Sequence, residues 1–195
     1  SNDSTAYWID GDTTYSYDSY IEMSGKKTNI EWSTDYIKTF ADNEEKELSM
    51  SFQIGGSLGD YDIDNYKNNT IQYRTDNEET EIEYTLQLDY THPFLEENKL
   101  EVGAKLINRD RGITNATKSD LSDFRSPEDI FNYNQKVLSS YISSDIALTS
   151  DIGLKAGVRY EKTIFSGDWE NSSLGSTKAP FGDSYGNILP SITVA

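Results

Sequence analysis

Strict alternation of apolar and polar residues is the sequence feature that most limits how this chain can fold. Between Thr28 and Phe40 the even positions are mostly apolar or aromatic, and the odd positions are mostly polar or charged. A period of two residues places successive side chains on opposite faces of a β-strand. The polar connection at 41–46 leads to a second alternating run at 47–54. Two such runs joined by a short polar turn predict a β-hairpin.

The same alternation recurs along the chain and predicts an all-β fold, an antiparallel up-and-down meander of about seven long strands. Residues 1–26 carry several tyrosines but show no regular alternation of apolar and polar residues. We interpret them as an N-terminal loop or an irregular strand. The strand region then covers 27–195. Its further alternating runs lie at 80–90, 100–106, 131–144, 154–164 and 188–195.

The lengths of the runs and of their connections favour a membrane wall over a soluble sheet. Most runs reach about 10–14 residues, whereas strands of soluble proteins usually have about 5–6 and tilted membrane strands about 9–11. Three connections are short, and three are long and rich in Asp, Asn, Gly and Ser. Short turns at one end with long external loops at the other are typical of outer-membrane β-barrels. The short connections are 41–46, 91–99 and 145–152, and the predicted long loops are 57–79, 108–130 and 165–186.

Aromatic residues near the ends of the runs support this interpretation, because aromatic rings gather at both interfaces of a membrane barrel. The residues that we expect to form these girdles are Tyr36, Phe40, Tyr90, Phe94, Phe131 and Tyr133.

Composition excludes several other classes of protein. The 195 residues carry a formal net charge of −17, which disfavours nucleic-acid binding because phosphate contacts need clustered Lys and Arg. Only 35% of the residues are hydrophobic, but 14 tyrosines and the periodic pattern argue against disorder outside the loops. There is no Cys and a single His, so disulfides and multi-histidine metal centres are excluded. The segment Ser1–Thr5 is unlike the start of a signal peptide, and we expect a mature or internal part of an exported protein.

Several segments, in this order, resemble the barrel of TonB-dependent outer-membrane receptors, and more narrowly the outer-membrane protein β-barrel family. The resemblance covers about residues 27–195 and depends on the order and spacing of the segments. They are Tyr84–Phe94, Lys99–Lys105, Phe131–Gln135, Lys155–Thr163 and Leu189–Ser191.

This resemblance implies a transporter or receptor for nutrient uptake in the outer membrane of a Gram-negative bacterium. The implied partners are outer-membrane lipid, the TonB complex acting through a plug domain outside this sequence, and an unidentified small ligand such as a metal chelate, glycan, peptide or cobalamin. A complete barrel of this kind has about 22 strands. About seven strands would leave two open edges, so we expect the isolated segment to self-associate through them or to deform into a smaller sheet.

We expect ligand contacts in the external loops, from Tyr61, Tyr66, Tyr73 and Trp169. Asp60, Asp62 and Asp64 offer the oxygen ligands that calcium prefers, but the glycine and glutamate of a calcium-binding loop are missing, and we interpret the segment as a solvated acidic loop. His92, beside Pro93, is interpreted as a turn residue. We predict no catalytic residue, no cofactor and no enzymatic activity, because no motif for one occurs.

The polar face of the predicted strands would line the barrel lumen. Its carboxylates recur on successive strands, as expected of a hydrated wall in which acids pair with bases and not of a single reactive site. The acidic residues are Glu31, Asp35, Glu47, Glu81, Glu83, Asp89, Glu101 and Glu161, and the basic residues among them are Lys105, Lys155 and Arg159.

A soluble β-rich adhesion or glycan-binding module is the alternative, since the strands of a soluble β-sandwich also alternate. In that case aromatic rings would offer flat faces to sugars. The candidate rings are Trp8, Tyr61, Tyr66, Tyr73 and Trp169.

Cysteine labelling separates the two interpretations. Trp32→Cys and Phe52→Cys, each labelled with a dye that responds to lipid, should both report a bilayer environment if the apolar face is the outside of a barrel. Two unreactive, buried cysteines would instead indicate the core of a sandwich.

Overall fold

Eight antiparallel strands form one continuous sheet in this computed structural model, and each strand pairs with its neighbours in sequence. The structure describes residues 2–10, 13–95, 98–119, 125–149, 151–171 and 178–194. The predicted all-β antiparallel meander is therefore confirmed. The strands are β1 (Asn2–Asp10), β2 (Thr13–Phe40), β3 (Asn43–Lys67), β4 (Thr70–Phe94), β5 (Asn98–Ser119), β6 (Arg125–Thr149), β7 (Ile152–Asn171) and β8 (Lys178–Val194).

The N-terminal region forms a strand that the sequence analysis did not count among its predicted seven or so. β1 pairs with the first part of β2, from Asp10 opposite Thr13 to Asn2 opposite Ile21. The segment of β2 that follows lies against β3. The N-terminal residues do not alternate regularly between apolar and polar side chains, but their backbone groups pair with neighbouring strands. Strand formation depends more on that backbone pairing than on the side-chain pattern.

The prediction of three long external loops is wrong, because the strands continue through these segments. Within 57–79, β3 and β4 are joined by the two-residue turn Asn68–Asn69. Both asparagines have positive φ, 47° and 62°, as a tight hairpin turn of the primed type requires. Within 108–130 and 165–186, strand residues likewise continue on both sides of the connection. Polar residues suit a strand as well as a loop when both faces of the sheet are in water.

The strands are consequently far longer than a membrane requires. β2 to β7 have 20 to 28 residues each. At about 3.3 Å per residue, a strand of β3's length extends about 80 Å, against about 30 Å for the hydrocarbon core. The sheet therefore has a membrane-spanning part near the short turns and a long extension at the opposite end.

Even-numbered residues near the short turns form an apolar surface that we call the lipid-facing belt. Neighbouring strands contribute apolar side chains at the same height, such as Phe52 opposite Leu86 and Leu86 opposite Leu106. No large apolar side chain is buried among the described residues, and many are exposed. The belt comprises the even positions of Trp32–Phe40, Leu48–Ile54, Tyr84–Tyr90, Leu100–Leu106, Leu138–Ile146, Leu154–Tyr160 and Ile188–Val194.

The belt runs obliquely across the sheet. Trp32 of β2 aligns through the successive strand pairs with Ser184 of β8. The belt of β8 instead begins at Ile188, which aligns with Tyr36 of β2. A stagger of this kind is what strand tilt produces when a sheet curves into a barrel.

At the short-turn end, Phe40 and Tyr90 of the predicted aromatic girdle lie in contact, with ring centroids 6.4 Å apart in an edge-on arrangement. Lys46 places its ammonium 4.7 Å from the centroid of Phe40, and Lys38 places its own at 5.2 Å. Rings and long cationic side chains that meet at the end of an apolar belt fit an interface between hydrocarbon and water.

Two strand edges are open within the described part of the chain. β1 covers only the first part of β2, so Glu22–Phe40 pair on one side only, with β3. β8 pairs only with β7. The expected partial barrel is thus observed, while its self-association remains a prediction. None of the described residues forms a helix long and apolar enough to span a membrane.

A positive charge introduced on either face of β4 at nearly the same height tests whether the belt faces lipid. Leu86→Arg, in the centre of the belt, should lower the free energy of unfolding from liposomes by about 2–4 kcal/mol, because it exposes a cation to lipid. Gln87→Arg, one residue away on the opposite face, should change it by less than about 1 kcal/mol. Urea titration of the full-length protein in lipid measures both, and equal losses would contradict the assignment of faces.

Candidate functional site

The odd-numbered face of the sheet, opposite the belt, carries most of the charged side chains at the height of the belt, and we call it the polar wall. It is the more crowded of the two faces, as expected of the inner face of a curved sheet. Within the described part of the chain, the four buried polar residues all lie on it, namely Ser57, Thr85, Ser139 and Thr163. The carboxylates predicted to line the lumen occupy odd positions of paired strands and so share this face, as do Lys105, Lys155 and Arg159.

Ion pairs and hydrogen bonds join neighbouring strands across the wall, as predicted. Arg109 of β5 donates to Glu83 of β4, and its Nη1 also donates to Oε1 of Gln135 at 3.2 Å. Gln53 donates from Nε2 to Oε1 of Glu31 at 3.0 Å. Each of these contacts is at least partly open to water, so it contributes modestly to stability and mainly fixes the positions of the side chains.

A second group of charges lies nearer the short turns. Nζ of Lys155 lies 3.1 Å from Oδ2 of Asp145 and 3.2 Å from Oε2 of Glu101, so one cation links β5, β6 and β7. Nη2 of Arg159 lies 2.8 Å from Oε2 of Glu161. The pairing of acids with bases is therefore confirmed for Glu101 and Glu161.

Tyr141 and Asp89 meet across an intervening strand. The Tyr141 hydroxyl of β6 donates to Oδ1 of Asp89 of β4 at 2.8 Å, over Gly103 of β5. A Cβ atom on Gly103 would lie 2.3 Å from that oxygen and 2.3 Å from Cε1 of Tyr141. The glycine is therefore required for the close approach of the two side chains, which is one of the recognised uses of glycine within a strand.

Aromatic rings gather on the wall at the outer ends of β6, β7 and β8, in a group that we call the aromatic patch: Phe131, Tyr133, Phe165 and Phe181. The rings of Phe131 and Phe181 have centroids 6.4 Å apart and planes inclined by 16°. Those of Tyr133 and Phe165 are also 6.4 Å apart. Phe181 is 47% exposed, which leaves apolar surface open at this end of the wall.

The prediction that Phe131 and Tyr133 belong to a lipid-facing girdle is wrong. Both occupy odd positions of β6, on the same face as Tyr141. A residue near the end of a strand can lie on either face of the sheet. The register of strand pairing decides which face it occupies.

The predicted ligand residues lie in strands and not in loops, and they do not form one cluster. Tyr61 lies on the wall against Gly59 of its own strand and Gly25 of β2. Tyr66 stacks on Tyr20 with ring centroids 4.5 Å apart. Tyr73 is 44% exposed, and Trp169 aligns with Phe131 beside the aromatic patch. A ligand role for these residues remains a prediction; the side chain of Trp8, the further ring of the alternative, lies outside the described part.

The three aspartates considered as calcium ligands lie along β3 and not in a loop. Alternate positions of a strand are about 6.6 Å apart, so the carboxylates of Asp60, Asp62 and Asp64 do not converge on one point. Arg74 donates to both oxygens of Asp64, at 2.6 and 2.8 Å, and this hydrogen bonding lowers the pKa of the Asp64 carboxyl. Among the described residues, no group of three or more His, Cys, Asp or Glu could hold a metal ion.

His92 also differs from its interpretation as a turn residue. It lies within β4, opposite Leu100, and its Nδ1 is 3.1 Å from the Tyr90 hydroxyl.

Sequence reasoning missed Arg109, Tyr141, Phe165 and Phe181 as residues of the wall. Each lies on the odd face of its strand, and three of the four fall near or inside segments interpreted as loops. Extending the two-residue period through the polar segments would have placed them on this face.

Residues 38–195 match the sequence profile of the outer membrane protein beta-barrel family. The chain belongs to this family. An oblique apolar belt, an opposite polar wall and two open edges are what a member of the family shows when the sequence contains only part of the barrel. The segment is thus a part of a barrel wall in the outer membrane of a Gram-negative bacterium. No curated protein matches the sequence.

The fold is similar to parts of solved outer-membrane receptors. The ferric citrate transporter FecA matches with a TM-score of 0.54 and 11% identity over 92% of this chain and 25% of its own. The ferric yersiniabactin uptake receptor FyuA from Yersinia pestis has a TM-score of 0.50 and 13% identity over 95% and 26%. The alcaligin receptor FauA from Bordetella pertussis has a TM-score of 0.56 and 14% identity over 93% and 28%. At these identities the likeness shows the fold alone, and the chain spans about a quarter of each receptor.

Substitution of Gly103 tests the link between Tyr141 and Asp89. Gly103→Ala should displace the Tyr141 hydroxyl and lower the free energy of unfolding by about 1.5 kcal/mol, the contribution of a hydrogen bond to a charged group. Gly153→Ala is the matched control, because a Cβ there meets no atom within 4 Å. Urea unfolding of the full-length barrel in lipid measures both variants. Equal stabilities of Gly103→Ala and Gly153→Ala would contradict a stabilising role of this contact.

Proposed function

We propose that this chain is the barrel-wall portion of a TonB-dependent outer-membrane transporter for nutrient uptake. The observation that carries the proposal is the polar wall, on which charged side chains face the inside of the curved sheet while the opposite face is apolar. Such a wall encloses water, a plug domain or a passing solute, and each of these needs polar contacts. The solved structures with the same fold bear the titles of a transporter, an uptake receptor and an outer-membrane receptor, which is consistent with this role.

The charges of the wall suit passage better than tight retention of one ion. Arg109 is engaged by Glu83 and Gln135, and Lys155 by Asp145 and Glu101. These pairs neutralise part of the charge, and the remaining carboxylates are spread over successive strands. The wall therefore presents hydrogen-bonding groups and a diffuse negative charge, without a single site for one ion. In this proposal the wall contacts a plug that receives force from the TonB complex, and the plug belongs to the rest of the protein.

The aromatic patch is the part of the described wall best suited to hold a ligand. Its rings lie at the outer end, where a solute arrives from outside, and Phe181 is 47% exposed. Exposed rings offer a flat apolar surface that also accepts cations and the faces of sugars. Within this proposal Trp169 extends the patch, and Tyr61 and Tyr73 contact the ligand from β3 and β4. Tyr66 stacks on Tyr20 on the opposite, even-numbered face and lies away from this ligand.

A soluble adhesion or glycan-binding module is less favoured. Such a domain buries one face of each sheet, whereas Trp32, Leu86 and Ile142 are 55%, 44% and 46% exposed. An apolar surface of this extent needs lipid or a further protein layer to cover it. Catalysis forms no part of the proposal.

Uptake measurements on the full-length protein test the transporter proposal. A Gram-negative host lacking its own receptors for the probes would express the gene and be given radiolabelled iron(III)–citrate, cyanocobalamin or a malto-oligosaccharide. We expect one probe to accumulate, and a protonophore to abolish its accumulation, because TonB-dependent uptake uses the proton gradient. Phe165→Ala with Phe181→Ala should raise the half-saturating concentration about tenfold, since each stacked ring contributes about 0.5–1.5 kcal/mol. Phe52→Ala, on the lipid-facing belt, is the control and should leave it unchanged. Protonophore-resistant uptake, or none, would contradict the proposal.

A further inference from the structure

Two tyrosine rings lie stacked on each other in the strand extensions, on the even-numbered face. Tyr20 of β2 and Tyr66 of β3 are directly opposite in the register of the two strands. Their ring centroids are 4.5 Å apart, and their planes are inclined by only 9°. Within the described part of the chain, no other two tyrosine rings are in contact. At this separation, carbon atoms of one ring touch carbon atoms of the other.

Backbone pairing on either side holds the two tyrosines in place. Ile21, next to Tyr20, pairs with Asn65, next to Tyr66. The turn that joins β3 to β4 is also tied to β2, because the Asn68 amide donates to the Asp18 carbonyl at 2.9 Å. The Asp18 amide donates in return to Oδ1 of Asn68 at 3.1 Å. The rings therefore meet because of the strand register and do not depend on a loop.

The tyrosine pair stands well beyond the part of the sheet that spans the membrane. Tyr20 precedes Trp32, the first belt residue of its strand, by twelve positions. At about 3.3 Å per residue, this corresponds to about 40 Å along the strand. Both tyrosine side chains are half-buried, so each keeps surface that is open to solutes. Oxidants outside the cell therefore reach the pair without crossing lipid.

Acidic side chains beside the pair favour the loss of an electron together with a proton. Desolvation and the negative charges of Glu22 and Asp64 raise the pKa of the Tyr66 hydroxyl, so this phenol is neutral at neutral pH. A neutral phenol loses its proton when it is oxidised, and a base placed beside it eases that loss. Arg74 donates to both oxygens of Asp64, whereas the Glu22 carboxylate hydrogen-bonds with Tyr66. Glu22 is therefore the base that is placed to accept the proton.

We propose that Tyr20 and Tyr66 form a site of oxidative cross-linking, at which a peroxide-consuming haem oxidant joins the two rings covalently. Each phenol gives up its hydroxyl hydrogen, as one electron and one proton, and becomes a phenoxyl radical. The two radicals form one carbon–carbon bond at ring positions next to the hydroxyl-bearing carbons. The hydrogen on each bonded carbon then moves to the phenol oxygen. Two hydrogen atoms are lost in all, and they reduce one molecule of hydrogen peroxide to two of water.

The new bond ties β2 to β3 at the outer end of the wall. The 195 residues contain no Cys, so no disulfide within them can do the same. Because the two radicals are held side by side, their coupling is effectively unimolecular and competes well with coupling between separate molecules. Both side chains are only half-buried, which lets the rings turn from the stacked to the linked arrangement. The inference needs the strand extensions to lie outside the membrane, and it is independent of the transported ligand.

Oxidation of intact cells that express the full-length protein tests this site. The cells are given hydrogen peroxide and a haem peroxidase, which is too large to cross the outer membrane and so acts only on the outside. We expect peptide mass spectrometry to find the peptides of Tyr20 and Tyr66 joined, with their combined mass lower by two hydrogen atoms. Dityrosine fluorescence should appear with them. Tyr20→Phe and Tyr66→Phe should each abolish this cross-link, because phenylalanine has no hydroxyl hydrogen to lose.

Matched variants separate the pair from tyrosines that are merely exposed. Tyr73→Phe removes a tyrosine that is 44% exposed and should leave the yield of the cross-link unchanged. Glu22→Gln should slow cross-linking about tenfold or more, because general bases typically contribute at least that much to a rate. Glu78→Gln makes the same change of charge elsewhere on this face and should not slow it.

Three results would overturn the proposal. The first is a cross-link that persists in Tyr66→Phe, and the second is an equal loss in Tyr73→Phe. The third is the absence of the cross-link while Met23, which is 68% exposed, is converted to its sulfoxide by the same treatment. Equal rates for Glu22→Gln and Glu78→Gln would overturn the role of Glu22 as the base. Uptake is measured separately, so none of these results bears on the transport proposal.

Discussion

Backbone hydrogen bonding between neighbouring strands is the constraint on which the rest of this structure depends. Hydrocarbon offers no partner to a backbone amide or carbonyl, so a chain that crosses it as strands must pair every such group with a neighbouring strand. Each of β3 to β7 has a neighbour on both sides over much of its length. That pairing fixes the register, and the register decides which side chains face lipid and which face the interior. The belt and the polar wall both follow from the same pattern of hydrogen-bonded strand pairing.

The two faces meet different solvents, and their side chains differ accordingly. On the outside, Leu86 and Leu106 need only be apolar, because lipid conforms to whatever shape the sheet presents. On the inside, Arg109 and Lys155 are held by partners on adjacent strands, and Gly103 is small because two larger side chains meet over it. A change of size is therefore tolerated better on the belt, and a change of charge better on the wall.

Much of the fold could be predicted from the alternation, because a period of two is imposed directly by strand geometry. The belt of β3 and β4 and the placement of Glu83, Asp89 and Glu101 on one face follow from it. The extensions beyond the membrane could not be recognised in this way, because in water both faces are polar and the period fades although the backbone pairing continues. Asn68–Asn69 marks a two-residue turn, yet it stands among so many Asp and Asn residues that the composition predicts a long loop. The girdle prediction puts Phe131 and Tyr133 on the wrong face, because distance from a strand end carries no information about the side of the sheet.

The long strand extensions have a consequence for how the outer end of such a barrel meets a molecule from outside. A mobile loop loses conformational entropy when it closes on a ligand, and part of the contact energy is spent on that ordering. Aromatic side chains carried on hydrogen-bonded strands are already ordered, so binding to them changes the backbone little. The outer mouth of this wall is therefore pre-organised. In the proposed transporter, its selectivity would come from the fixed spacing of Phe131, Phe165 and Phe181, and capture would be fast and readily reversible.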